Sequence, residues 1–216
     1  MKRVSVHAVL GCAALLLAAC QTTPMDPLGE ELRTSYQCGE MRVETQLAGD
    51  HLLLRLPERD VRLQPVVSAS GARYGDDRGN DFWSKGREQA LLRLEQGPWL
   101  ACQVSEGRSP WVAARDRDVA YRAVGQEPGW WLELNSGETP AMVVVLDYGQ
   151  RRLELPRTRA LAGEAGFAGQ SDGRVVQLRI LHEACTDVMS GEAFPTRAEL
   201  RVGDVVYSGC GRFLNP

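Results

Sequence analysis

Runs of about four to eight β-forming residues, closed off by Gly, Pro or Asp, recur from Arg42 to the end of the chain. No long stretch keeps a helical period. Arg42-Val43-Glu44-Thr45-Gln46-Leu47 ends at Ala48-Gly49-Asp50, a turn cluster, and residues 51–56 follow, so the two predict a hairpin. Residues 61–64 alternate apolar with polar, as a half-buried strand does, and residues 91–94 and 99–102 complete the first set. Further on, strands are predicted over 130–134, 142–146, 152–155, 175–181, 197–202 and 205–207. Gly203-Asp204 between Val202 and Val205 reads as a tight hairpin turn. Pro57, Pro65 and Pro98 fit strand ends or edges. Helix is confined to a short turn over 28–34 or 183–189. Strands this short and this closely spaced predict an all-β chain built as small antiparallel barrels or sandwiches.

The N-terminus has a different texture. Lys2 and Arg3 precede an apolar run over 8–19 that ends in Leu17-Ala18-Ala19-Cys20. That is the layout of a secretory signal peptide. The run is far short of the roughly 20 apolar residues a spanning helix needs. Its ending resembles the bacterial lipobox, which implies cleavage before Cys20 and acylation of that cysteine. Several acyl chains together hold a bilayer stably where one does not. Gln21, where an aspartate would resemble an inner-membrane retention signal, favours an outer-membrane anchor with the folded part facing the periplasm. Residues 20–31 read as a lipidated tether, with folding from Leu32.

Loss of Lys2 and Arg3 with the leader takes the formal charge from −3 to −5. Phosphate binding rests on positive charge, so nucleic acid is a poor partner. A basic protein is a better one, through long-range attraction. Four cysteines remain for disulfides in an oxidising envelope: Cys38, Cys102, Cys185 and Cys210. Of the three possible pairings, Cys38–Cys102 and Cys185–Cys210 each bracket one compact segment. Zinc is disfavoured, because no CxxC spacing occurs and only His51 and His182 survive cleavage. Nothing implies a cofactor. The frame divides the chain into a domain over 32–104, a polar linker over 105–118 and a second β-rich domain over 119–216. Cores of this size are marginal, and a disulfide in each adds a model-dependent ~2–4 kcal/mol.

Inside the first cysteine pair the chain reads Ser68-Ala69-Ser70-Gly71-Ala72-Arg73-Tyr74, then Phe82-Trp83-Ser84-Lys85-Gly86-Arg87-Glu88. These two motifs in this order, after a lipobox, resemble the membrane-bound lysozyme inhibitors of C-type lysozyme, the MliC family, over about 36–104. The resemblance implies an eight-stranded antiparallel barrel, a Cys38–Cys102 disulfide and C-type lysozyme as partner. By motif position, Ser70 and Lys85 are the residues it directs into the lysozyme cleft. The chemistry is coherent. Lysozyme works with one protonated and one ionised carboxyl in a cleft. Lys85 offers a compact ammonium on a flexible stem, and Ser70 a hydroxyl that donates or accepts. Gly71 permits a tight loop. Arg73 and Tyr74 belong to the same binding surface as bracing residues, while Trp83 reads as core. Beyond the leader Lys85 is the one lysine beside 22 arginines.

Other constellations are weaker. Asp76, Asp77, Asn80 and Asp81 do not have calcium-loop spacing. His182, Asp187 and Ser190 lack a nucleophile elbow. Arg151, Arg152, Arg157 and Arg159 read as a solvated face. Trp130 and Trp131 are adjacent, so on a strand they face opposite sides, one toward the core and the other open to a contact surface; between that arrangement and core packing for both, core packing is the expectation kept. The phrases Gly125-Gln126-Glu127-Pro128-Gly129-Trp130, Cys185–Gly191 and Ser208-Gly209-Cys210-Gly211 resemble an uncharacterised envelope lipoprotein domain with no activity to carry over. The chain therefore reads as a non-enzymatic lipoprotein inhibitor. The alternative is an envelope binding or assembly lipoprotein whose activity lies in the C-terminal β region.

Overall fold

A computed structural model describes residues 33–86 and 88–215. The segments read as leader and tether, with Cys20, lie outside the described residues. Eight strands close into an antiparallel barrel in chain order: β1 (Arg33–Cys38), β2 (Met41–Ala48), β3 (His51–Arg55), β4 (Asp60–Val66), β5 (Ala72–Gly75), β6 (Asp81–Ser84), β7 (Gln89–Arg93) and β8 (Leu100–Val104). Pairing of β1 with β8 completes it, with Cys38 opposite Cys102 and disulfide-bonded to it. Closure removes the exposed edges a small sheet would otherwise carry. Alternate residues point inward, so Tyr36, Val43, Leu54, Leu63, Phe82 and Leu92 form the core. The barrel and its disulfide are as the sequence predicts. Strands β1, β5 and β6 carry Arg, Gln, Gly or Asp in short runs, and pairing with neighbours decides their state.

The rest of the chain forms a second antiparallel sheet from β9 (Val119–Gln126), β10 (Gly129–Asn135), β11 (Met142–Leu146), β12 (Arg151–Leu155), β13 (Arg159–Ala160), β14 (Gly166–Ser171), β15 (Arg174–Leu181), β18 (Thr196–Val202) and β19 (Val205–Phe213). Its nine strands run in the order β12-β11-β10-β9-β19-β18-β15-β14-β13. The sheet curls into a half-barrel around Tyr121, Trp130, Leu132, Met142, Leu178 and Leu200. Two short strands, β16 (Cys185–Thr186) and β17 (Ala193–Phe194), pair beside it, and Cys185–Cys210 ties them to β19. Val202 pairs with Val205 across Gly203-Asp204, the tight hairpin expected there. Only Trp130 is in the core. Trp131 takes the other face, with the Arg122 guanidinium 4.9 Å from its ring centroid, because neighbours on a strand face opposite sides.

Among the described residues the α-helix is not at 183–189, where β16 pairs, but at α1 (Pro110–Arg115), within the segment read as a linker; of the other candidate, 28–34, residues 28–32 lie outside the described residues and Arg33 and Thr34 belong to β1. Ser109 caps it and Pro110 opens its first turn, which are recognised start signals. Six residues carry too little periodicity to register, yet α1 buries Trp111, Val112 and Ala114.

The charges of that segment join the barrel to the second sheet. Asp116 accepts from Arg55 at 3.1 and 2.5 Å and from Arg108 at 2.7 Å. Glu44, 1 % exposed, accepts from the Ser109 amide at 2.9 Å, and Arg115 pairs with Asp60. Across the junction Arg212 donates to Glu58 at 2.6 Å and to Glu192 at 2.7 Å. Glu58 lies between β3 and β4, and Asp60 opens β4. The turns after β4 and β6 leave the barrel at the opposite end, since strand direction alternates around it.

Burial raises the Asp116 carboxyl, but hydrogen bonds from Arg55 and Arg108 outweigh it and bring it down to about 2. Glu192 goes the other way. Burial pushes it up to about 7 despite Arg212, with Glu58, Asp187 and Glu40 adding repulsion. The signs therefore oppose. The Asp116 contribution is present above the ordinary carboxylate range and is lost as pH falls through about 2. The Glu192 contribution comes from tighter proton binding in the folded state. It is present below 4.5 and lost as pH rises through about 7. Stability in urea is expected to decline from pH 5 to pH 8, and Glu192→Gln, which carries no titrating proton, to flatten that decline. An unchanged slope in the variant would refute the assignment.

Candidate functional site

Two loops leave the barrel at the end remote from the second sheet. Residues 67–71 join β4 to β5, and residues 85–88 join β6 to β7. Ala72 pairs with Ser84, so the loops emerge side by side. The first is bent by Ser68, whose hydroxyl donates to the carbonyls of Ser70 at 3.2 Å and Gly71 at 2.9 Å. Gly71 has φ +68°, and a Cβ there would sit 2.0 Å from the Ser84 carbonyl oxygen. In the second loop the Lys85 amide donates to the Gln89 carbonyl at 2.7 Å, and the Ser84 hydroxyl to that of Gly86 at 3.0 Å.

Trp83 stands between the loops. Its indole N–H donates to the Ser70 carbonyl at 2.8 Å, and the Lys85 ammonium lies 2.9 Å from its ring centroid. Ser70 and Lys85 are both exposed. The expectation that Trp83 is core is corrected: Phe82 takes the interior position, and strand alternation turns Trp83 outward.

Arg73, on the same outer face, forks to one carboxylate oxygen of Asp81 through Nε at 2.9 Å and Nη2 at 2.8 Å. Arg93 holds the other oxygen, its Nε at 3.1 Å. Burial of Asp81 would raise its carboxyl, but the two arginines hold it below the ordinary range. The Arg73 guanidinium also lies 5.9 Å from the Trp83 ring and 5.8 Å from that of Trp99. Arg73 is thus a fixed brace, its charge matched by Asp81. Tyr74 turns to the other face and packs, partly buried, against the barrel core. Of the five residues singled out by motif, the structure gathers Ser70, Gly71 and Lys85 at the rim, sets Arg73 on the strand below and directs Tyr74 inward.

Asp81, Arg93, Trp83 and Trp99 escaped sequence reasoning as a group. Alternation could have found half of it, since Asp81 and Trp83 must share the face opposite Phe82. Only the β6–β7 register, with Asp81 opposite Arg93, supplies the rest.

The remaining clusters are internally satisfied. Asp76 accepts from the amides of Arg78 at 3.0 Å and Asn80 at 2.8 Å and from the Asn80 side chain at 2.7 Å, closing its own turn. Asp187 accepts from the Ser190 hydroxyl at 2.7 Å and from Gln126 at 2.9 Å, while His182 stacks on Phe213. Among the described residues no group of three or more His, Cys, Asp or Glu could hold a metal ion, and no helix is long and apolar enough to cross a membrane.

Gly71→Ala tests the rim geometry. The added methyl meets a backbone carbonyl that cannot swing aside, and an L-residue at this φ is strained by about 1 kcal/mol or more. The loop is expected to lift off β6 and break the Trp83–Ser70 hydrogen bond, read as a shifted and faster-exchanging Trp83 indole N–H resonance. An unmoved resonance would contradict this.

Residues 36–99 match the family model described as membrane-bound lysozyme-inhibitor of c-type lysozyme. The match spans both loops and most of the barrel, and supports a lysozyme-inhibitor-type function. That family is one of inhibitors, not enzymes, and is membrane-bound by description. The second sheet lies outside the match. No curated protein and no solved structure matches the chain.

Proposed function

We propose that this chain is a lipid-anchored inhibitor of C-type lysozyme, which plugs the enzyme's catalytic groove with Ser70 and Lys85 to protect peptidoglycan. The observation that carries the reading is the side-by-side exposure of these two residues at one rim, within the segment that matches the inhibitor family. An ammonium meets the ionised carboxylate of the lysozyme pair, and the hydroxyl serves the protonated neighbour. Both attach to short loops on a closed barrel, so little ordering cost remains at binding. The mature charge of −5 attracts a basic enzyme at long range, which makes association sensitive to salt.

The anchor in this proposal is lipid on Cys20 in the outer membrane, with the barrel facing the periplasm. The test is turbidimetric. The chain freed of residues 1–20 should slow lysis of purified peptidoglycan by C-type lysozyme, and more so at low salt. Residues 32–104 alone should retain the effect. Cys20→Ala should release the full-length protein from membranes. A correctly oxidised chain that neither binds the enzyme nor protects cell walls would overturn the proposal.

A further inference from the structure

Neither motif chemistry nor the inhibitor reading gives Trp83 a role, and its placement does. It lies on the outer face, partly exposed, and contributes nothing to the barrel core. A tryptophan on a half-solvated strand usually needs only a partner for its N–H. Here the two polar features of the indole are used separately. The N–H fixes the Ser70 carbonyl at 2.8 Å, on one loop. The ring face receives the Lys85 ammonium at 2.9 Å, on the other. The ring is itself held. Arg73 approaches it at 5.9 Å and is locked by Asp81, which Arg93 grips from the next strand. Gly71 lets the first loop come this close, since its Cβ position lies 3.4 Å from the indole nitrogen.

We infer that Trp83 is a positioning residue that couples the two inhibitory loops, setting Ser70 and Lys85 at a fixed separation before lysozyme arrives. This rests on the inhibitor reading and deepens it. A long lysine stem free in solvent samples many rotamers, and a two-point plug works only when both points fit the cleft together. The indole removes that freedom from both loops at once. Ser70 and Lys85 should therefore act as a coupled pair, with the coupling carried by one side chain. The two arms are separable: phenylalanine keeps an aromatic face for Lys85 but has no N–H for Ser70, and leucine offers neither.

The experiment is a double-mutant cycle of Ser70→Ala and Lys85→Ala on the inhibition constant of the intact chain, run in Trp83, Trp83→Phe and Trp83→Leu backgrounds. Residues in one network show coupling, here about 3- to 10-fold with Trp83 present. It should fall to near onefold with leucine. Phenylalanine should keep the sensitivity to Lys85→Ala and lose that to Ser70→Ala. A merely structural tryptophan would lower all the values together and leave the coupling intact, which would overturn the inference. Should the variants fold poorly, the unmodified chain still decides. In that chain the Lys85 side-chain methylenes should show upfield ring-current shifts from the Trp83 indole. Random-coil lysine shifts would sink the coupling. An intact chain without inhibition would defeat both readings, whereas one that inhibits and needs Lys85 but ignores Trp83→Leu would defeat this one alone.

Discussion

Lys85→Glu is expected to weaken inhibition of C-type lysozyme at least a hundredfold while leaving the fold unchanged. Truncating one partner of a desolvated charge pair costs about 2–5 kcal/mol, much of it from the partner left buried without a counter-charge. Reversal adds repulsion from the ionised carboxylate in the lysozyme cleft. Lys85→Ala should fall short of the glutamate variant by that repulsive share. Lys85→Arg should rescue only in part, because a planar fork does not occupy the site of a compact ammonium. Lys85 is exposed and its ring contact is on the surface, so the unfolding free energy from urea curves should change by no more than about 0.5 kcal/mol. Titration of lysozyme activity at fixed ionic strength gives the inhibition constants. A glutamate variant that inhibits as well as the parent would remove Lys85 from the site.

The sequence carries the barrel unevenly. β2, β3 and β4 are legible because runs of β formers flank the Gly49-Asp50 turn and residues 61–64 alternate apolar with polar. β5 and β6 are not, since four residues each, with Gly75, Asp81 and Ser84 among them, have no local preference strong enough to show. Their pairing is enforced by neighbours and by closure. Ser70 and Lys85 were legible as motif residues, but their adjacency is a property of the Ala72–Ser84 register. Trp83 reads as core for a related reason. A tryptophan is apolar enough to pass for core, and only the phase of β6, set by buried Phe82, turns it outward. The same phase question separates Trp130 from Trp131. The segment over 105–118 reads as a linker because its charges suggest solvent. In the structure those charges face partners on the barrel, which no single-segment pattern can reveal.

Those partners lead to the second large effect, at Arg212. Its side chain is 6 % exposed and ties Glu58 of the barrel to Glu192 of the second sheet, with the guanidinium 4.4 Å from the Phe194 ring and 5.2 Å from that of Trp111. Arg212→Ala leaves two carboxylates facing each other without their cation. Removing one partner of a buried pair costs about 3–5 kcal/mol, and the lower end applies here because Glu58 keeps access to water. The loss should depend on pH in a defined direction. Glu192, pushed up to about 7 even beside Arg212, holds its proton at pH 5 whether or not Arg212 is present, so the unrelieved repulsion arises only once it ionises at higher pH. The deficit should therefore be smaller at pH 5 than at pH 8, in contrast to the acid-side loss expected from Asp116 variants. Arg212→Met, which keeps some packing on Trp111 and Phe194 but no charge, separates the ionic share from the stacking share. Denaturant curves should also show a lower slope if the two halves begin to unfold separately. Inhibition, in contrast, should survive, because the rim loops lie at the other end of the barrel. A variant that loses lysozyme inhibition while staying folded would mean that the second sheet reaches the inhibitory rim after all, and would move the seat of activity toward the C-terminal half.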